Sequence, residues 1–228
     1  MSGTPVVLAR GTPHGRLVGV ALPAEDDTAA VDALAGSLPP QEQAHARGLP
    51  PARRVTWVGG RVALRAALAE LGVAAGPAAG PILATPRGAP ALPAGVMGSI
   101  AHKRTLAVAL VAAAADDVTL GVDVELDRAP RVDISARVLT VAERRRVAAL
   151  AAPARAAAVL RAFAAKEAVY KAIDPWLRRH VGFDEVEVDE HAARFVPRAG
   201  EPTFAIELRD EPLAGYVLVT ARVQRRAG

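Results

Sequence analysis

The sequence predicts an α+β fold, and three observations carry that expectation. Strand-like runs, either apolar or strictly alternating, recur at Leu106–Val111, Val118–Glu125, Phe204–Leu208 and Tyr216–Val223. Stretches with helical apolar spacing occur in each half, as in Leu64, Leu68 and Leu71 and in Val159, Leu160 and Phe163. Each half also holds at least one helix and ends in strands. Residues 1–114 and 115–228 are therefore expected to form two similar lobes, joined across Ala112–Asp117.

Taken in order, the first 51 residues are punctuated by Pro and Gly, with a strand expected at Leu17–Leu22 and a short helix at Thr28–Leu38. Gly59-Gly60 is expected to open a helix that Gly72 stops, with Arg61 in its first turn. A helix start behind two glycines exposes backbone N–H groups to anions, and Arg54 and Arg61 would add charge there, although arginines that merely solvate the helix are the plainer alternative. Residues 77–98 read as a loop carrying Arg87. Gly98-Ser99-Ile100-Ala101-His102 then leads into the Leu106–Val111 strand and places His102 at an edge.

In Val118–Glu125, Val118, Leu120, Val122 and Val124 alternate with Thr119, Gly121, Asp123 and Glu125, the mark of a half-buried strand. Thr140-Val141-Ala142-Glu143 reads as a capping box that opens a helix through Leu150. A long helix is expected from about Arg155 to Ile173, stopped by Asp174-Pro175. An acidic alternating segment, Phe183–Val188, precedes the last two strands.

The chain has 228 residues, 51% of them hydrophobic and 23% charged, enough to bury a core. Aromatics are 4%, so Ala, Val and Leu must build that core. Cysteine is absent, which removes disulfides, thiolate nucleophiles and Cys-based zinc sites. No signal peptide and no membrane-spanning run is evident, so a cytoplasmic protein is expected, with no membrane partner. The formal net charge is +4, but basic clusters are short and aromatics do not alternate with them. That argues against nucleic acid and suits anionic small molecules or an acidic protein.

Two features point to chemistry. Of the 28 basic residues, only Lys103, Lys166 and Lys171 are lysines, and two of these flank Glu167 in one helical stretch. Lysine is a compact charge that can change protonation state, which arginine does not do. The apolar stripe of that helix brings up Glu167, and a carboxylate facing inward needs a cation or a metal. The plainer alternative is a Glu167–Lys171 surface pair. In the strand, the period of two puts Asp123 and Glu125 on one face, where neighbouring carboxylates call for a cation. Hard oxygen donors of this kind suit Mg²⁺, although two solvated acids at a strand end would show the same pattern. Together the acids, lysines and arginines make a set suited to metal-assisted phosphoryl transfer.

Gly121-Val122-Asp123-Val124-Glu125, followed by Phe163-Ala164-Ala165-Lys166-Glu167-Ala168-Val169-Tyr170-Lys171-Ala172, resembles the paired signature motifs of the 4′-phosphopantetheinyl transferases in order and separation. Gly98-Ser99-Ile100-Ala101-His102 and Gly88-Ala89-Pro90-Ala91-Leu92-Pro93 resemble two upstream family segments. Gly60-Arg61 with Ala66, Leu68 and Leu71-Gly72 resembles the helix before them. The likeness covers about residues 53–188 and is nearest the enterobactin-synthetase type of the larger, monomeric group.

The resemblance implies two similar α+β lobes related by a pseudo-twofold axis, with coenzyme A bound in the cleft between them. It implies transfer of 4′-phosphopantetheine to a serine of an apo acyl- or peptidyl-carrier protein, or of a carrier domain in a polyketide or nonribosomal peptide synthase. Adenosine 3′,5′-bisphosphate would be released. Asp123, Glu125 and Glu167 would hold Mg²⁺, or Mn²⁺, against the pyrophosphate. Arg54, Arg61, Arg87, Ser99 and His102 would contact the nucleotide end. Lys166 and Lys171 would neutralise the bridging phosphates and one of them would protonate the leaving group, while Glu167, with Asp123 beside it, would help to deprotonate the serine, directly or through a metal-bound water. A different Mg²⁺-dependent nucleotide enzyme and a non-catalytic coenzyme A-binding protein stay open beside this reading.

Overall fold

A computed structural model describes residues 5–130 and 132–226. The chain divides into two units, Met1–Ala114 and Ala115–Gly228. Each unit is a mixed helix–sheet assembly in which all strand pairing is antiparallel, as an α+β chain requires.

The first unit runs β1 (Val6–Thr12), β2 (Gly15–Ala21), α1 (Thr28–Ala35), α2 (Pro40–Arg47), α3 (Pro51–Glu70), β3 (Val96–Lys103) and β4 (Leu106–Ala113). Its four strands lie in the order β1-β2-β4-β3. The long helix α3 covers this sheet, with Val58, Val62, Ala63 and Leu64 packed among Val18, Val20, Ala109 and Val111. Gly59 and Gly60 do not open α3, which begins eight residues earlier at Pro51. Pro at the first helical position lacks only an N–H that would have had no partner. Gly59 instead permits close approach to the sheet, since a Cβ there would stand 2.0 Å from Leu22 Cδ2. The segment around His102 is strand as well, and Ser99 and His102 belong to β3.

The second unit runs β5 (Val118–Leu126), α4 (Ser135–Val138), α5 (Val141–Ala148), α6 (Ala152–Leu177), a 3-10 turn (Phe183–Glu185), β6 (Val186–Val188), β7 (Ala192–Phe195), β8 (Phe204–Asp210) and β9 (Tyr216–Arg225). Its sheet order is β5-β9-β8-β7-β6. The capping box forms as expected, with Thr140 Oγ1 accepting from Glu143 N and Glu143 Oε2 accepting from Thr140 N. Helix α6 is longer at both ends than the sequence suggests. Pro153 sits in its first turn, and Pro175 lies inside it rather than after it. Trp176 and Leu177 pack against the core, and that burial holds the last turn despite the missing N–H of Pro175. Arg178, at φ 50°, closes the helix by donating its N–H to Asp174 O.

Helix α6 crosses β5 so closely that Gly121 is obligatory. A Cβ there would stand 1.8 Å from Ala168 O. The strand is therefore not half-buried. Leu120, Val122 and Val124 are buried on one face, and on the other Thr119 Oγ1 donates to Ala172 O in α6.

Candidate functional site

In the second unit the acids and one lysine converge where β5 meets α6. The two-residue period puts Asp123 beside Gly121 and Thr119 on the helix-facing side, and Glu125 follows in the same register. Across from them, Lys171 Nζ donates to Asp123 Oδ1 at 2.7 Å and to Val122 O at 2.9 Å. Asp123 is 8% exposed, so this carboxylate and ammonium meet with little water between them.

Glu167 lies one helical turn before Lys171 and is half-buried. Burial pushes its carboxyl above the ordinary range, and the Asp123 carboxylate pushes it further. Lys171 opposes this shift, Glu125 adds to it, and Arg137 opposes it. A carboxyl held up by two other carboxylates marks a place where negative charge is in excess. A cation would relieve it. The donors are hard oxygens, which fits Mg²⁺ or Mn²⁺ by chemistry. Among the described residues, no group of three or more His, Cys, Asp and Glu side chains is gathered closely enough to hold a metal ion as it stands.

Lys166 is placed differently from the expectation. It is fully buried, and Nζ donates to Glu143 Oε2 at 2.7 Å, Val138 O at 2.8 Å and Phe183 O at 2.8 Å. Its three N–H donors have three protein acceptors. Phe183 stacks on Phe163 and Tyr170, with ring centroids 5.7 and 5.4 Å away. A phosphate cannot reach an ammonium so enclosed. Burial lowers the Lys166 pKa and Glu143 raises it again. Glu143 does more than cap α5. Besides capping α5, its Oε1 accepts from Val188 N at 2.7 Å, so the pair ties α4, α5, α6, the Phe183–Glu185 turn and β6 together.

In the first unit the expected anion contacts have different surroundings. His102 is half-buried on β3, and its Nε2 lies 3.2 Å from Arg53 Nη1. Ser99 is 5% exposed on the same strand. Arg54, the expected partner, is paired with Asp32 in α1. Arg53 rather than Arg54 meets His102, since a one-residue step on a helix turns a side chain by about 100°. Arg87 is exposed at the tip of a small hairpin. Arg61 does not point to solvent. It is 5% exposed, lies over the Trp57 ring at 4.7 Å, and donates through Nε to Ile82 O at 2.5 Å. Burial pulls its pKa down to about 10. An arginine so placed is a structural donor, because its helical position faces the loop packed on α3 rather than the helix end expected from Gly59-Gly60.

Two family models match the chain. One, described as 4′-phosphopantetheinyl transferase superfamily, covers residues 119–220. The other, described as 4′-phosphopantetheinyl transferase N-terminal domain, covers residues 41–112. The chain is also 39% identical over 162 residues to 4′-phosphopantetheinyl transferase Svp of Streptomyces mobaraensis. That alignment takes in 70% of this chain and 64% of the relative, so the chain spans a little under two thirds of the relative's length. The match over 119–220 contains the β5–α6 junction with Asp123, Glu125, Glu167 and Lys171. The chain belongs to the 4′-phosphopantetheinyl transferase superfamily.

Proposed function

We propose that this protein transfers the 4′-phosphopantetheine group of coenzyme A to a serine hydroxyl of an apo acyl- or peptidyl-carrier protein, releasing adenosine 3′,5′-bisphosphate. Carrier domains of polyketide and nonribosomal peptide synthases are included among these acceptors. The observation that carries the reading is Glu167, half-buried and raised in pKa beside Asp123, with Lys171 bonded to that aspartate.

In the proposed reaction the serine oxygen attacks the phosphorus next to pantetheine. A new O–P bond forms, and the P–O bond to the 5′-phosphate of the nucleotide breaks. Glu167 is the carboxylate placed to accept the serine proton. Lys171 sets its ammonium against Asp123 and offsets the charge that develops on the leaving phosphate. Asp123, Glu125 and Glu167 would hold Mg²⁺, or Mn²⁺ in its place. Bound there, the metal would neutralise the pyrophosphate. Arg53, Arg87 and His102 are assigned to the nucleotide phosphates. Arg54 and Arg61 are committed to protein partners, and so is Lys166.

Chromatography of the nucleotide product tests this. Adenosine 3′,5′-bisphosphate should appear only when coenzyme A and an apo-carrier are both present, and not when the carrier serine is replaced by alanine. Release without carrier would favour a different nucleotide hydrolase or transferase. Binding of coenzyme A without any release would favour a non-catalytic binding protein.

A further inference from the structure

The chain between α3 and β3 runs from Leu71 to Gly95 without a helix or a named strand. Connections of this length are uncommon in a small unit and usually serve a function. Most of it is exposed, yet it is held at one end by buried charge. Glu42 of α2 is fully buried and Arg65 of α3 is 6% exposed. They form a two-point pair, Nε to Oε2 at 3.0 Å and Nη2 to Oε1 at 2.5 Å. Arg65 also donates to Ala75 O at 3.1 Å and to Gly80 O at 2.9 Å. Glu42 Oε1 accepts Ile82 N at 2.6 Å, and Arg61 Nε donates to Ile82 O. Ile82 itself is 3% exposed.

Immediately after Ile82 the chain folds into a hairpin. Ala91 N donates to Leu83 O, Thr85 N to Ala89 O and Gly88 N to Thr85 O. Pro86, Arg87 and Gly88 make its tip. Both backbone groups of the residue at the hairpin's base are thus gripped by buried side chains of two helices, and the tip holds an exposed arginine. Isolated buried ion pairs contribute little net stability and are costly to break, so a pair spent on a loop calls for a reason other than the core.

We infer that Glu42 and Arg65, with Arg61 beside them, are positioning residues that fix the Leu83–Ala91 hairpin so that Arg87 is presented to a phosphate of the coenzyme A nucleotide. This rests on the function proposed above. None of the three touches the ligand. They act through Ile82, and Arg87 is the group that binds.

Calorimetry with coenzyme A tests it on the parent, Glu42→Gln, Arg65→Lys, Arg87→Ala and the Arg65→Lys/Arg87→Ala double variant, alongside steady-state transfer rates. Arg65→Lys keeps Glu42 paired with a cation but cannot also reach Ala75 and Gly80, so it is the deciding variant should Glu42→Gln fail to fold. A displaced contact should weaken coenzyme A binding about tenfold in Arg65→Lys and raise KM to match, with kcat at saturating coenzyme A within about twofold of the parent. In the Arg87→Ala background the same change should add less than about twofold, because the two act through one contact. A folded Arg65→Lys protein with parental affinity overturns the inference, and so do fully additive losses in the double variant. A parent that binds no coenzyme A overturns the proposed function itself, and the inference with it.

Discussion

Replacing Lys166 by methionine separates a buried tie from a phosphate contact. The ammonium is fully enclosed and makes three hydrogen bonds of 2.7–2.8 Å to Glu143, Val138 and Phe183. Methionine conserves most of the volume but leaves the Glu143 carboxylate, 3% exposed, without its counter-charge. Breaking one side of a buried pair costs about 3–5 kcal/mol, whereas an exposed lysine contributes about 0.5 kcal/mol or less. For a protein of this size, about 4 kcal/mol corresponds to a fall in Tm of about 8–16 °C. The chain has two tryptophans, Trp57 in the first unit and Trp176 in the second, where it stacks on Phe204 at 5.2 Å. Urea unfolding followed by Trp176 emission in a Trp57→Phe background reads the second unit alone. Lys166→Met should shift that transition by several kcal/mol. Glu143→Gln combined with Lys166→Met should lose less than the sum of the two single changes. If Lys166→Met unfolds within about 0.5 kcal/mol of the parent, as an exposed side chain would, and instead weakens coenzyme A binding, the burial argument is wrong.

Glu167→Gln should abolish transfer and yet stabilise the protein at neutral pH in the presence of EDTA. A carboxyl raised in the folded state is penalised as pH climbs above its unfolded value, and glutamine carries no such penalty. Equal or lower stability of the variant in a urea titration at pH 7 would contradict the electrostatic account. Arg179 bonds to both Glu185 and Glu201 and holds each carboxyl down at about 2 against an ordinary 4.5. Their contribution should be complete above about pH 4.5, the unfolded value, and disappear as pH falls towards 2. A Glu185→Gln/Glu201→Gln protein should therefore show a flatter loss of stability in acid, and an unchanged acid profile would count against the clasp. Gly121→Ala puts a methyl group 1.8 Å from Ala168 O and must push α6 off β5. A loss of about 3 kcal/mol or more is expected, with transfer falling as Asp123 and Lys171 separate; wild-type melting would refute the close approach.

Much of the site was legible because its signals are local. The period of two in Val118–Glu125 put Asp123 and Glu125 on one face, and the helical spacing around Glu167 put Lys171 one turn on. The Thr140–Glu143 capping box could be read for the same reason, since both partners lie within one turn. What escaped depends on distant partners. Which charge of Lys166-Glu167 turns inward is set by Glu143, 23 residues upstream. No periodicity within α6 reports that. Gly59-Gly60 carries the same letters whether it opens a helix or admits a neighbour, and Leu22, far away in sequence, decides. The polar stretch Pro40–Arg47 gave no helical stripe, yet it buries Glu42 completely against Arg65. Strand β7 is four residues long and mostly uncovered, too short for alternation to show.

The central claim is that Asp123, Glu125, Glu167 and Lys171 serve transfer of a phosphopantetheine group. Intact-mass spectrometry of an apo-carrier, incubated with coenzyme A, Mg²⁺ and this protein, tests it most directly. The carrier should gain the mass of one phosphopantetheine group, and Asp123→Ala and Glu167→Ala variants that remain folded should leave its mass unchanged. No gain on acyl- and peptidyl-carriers alike, from a parent that still binds coenzyme A, would contradict the claim.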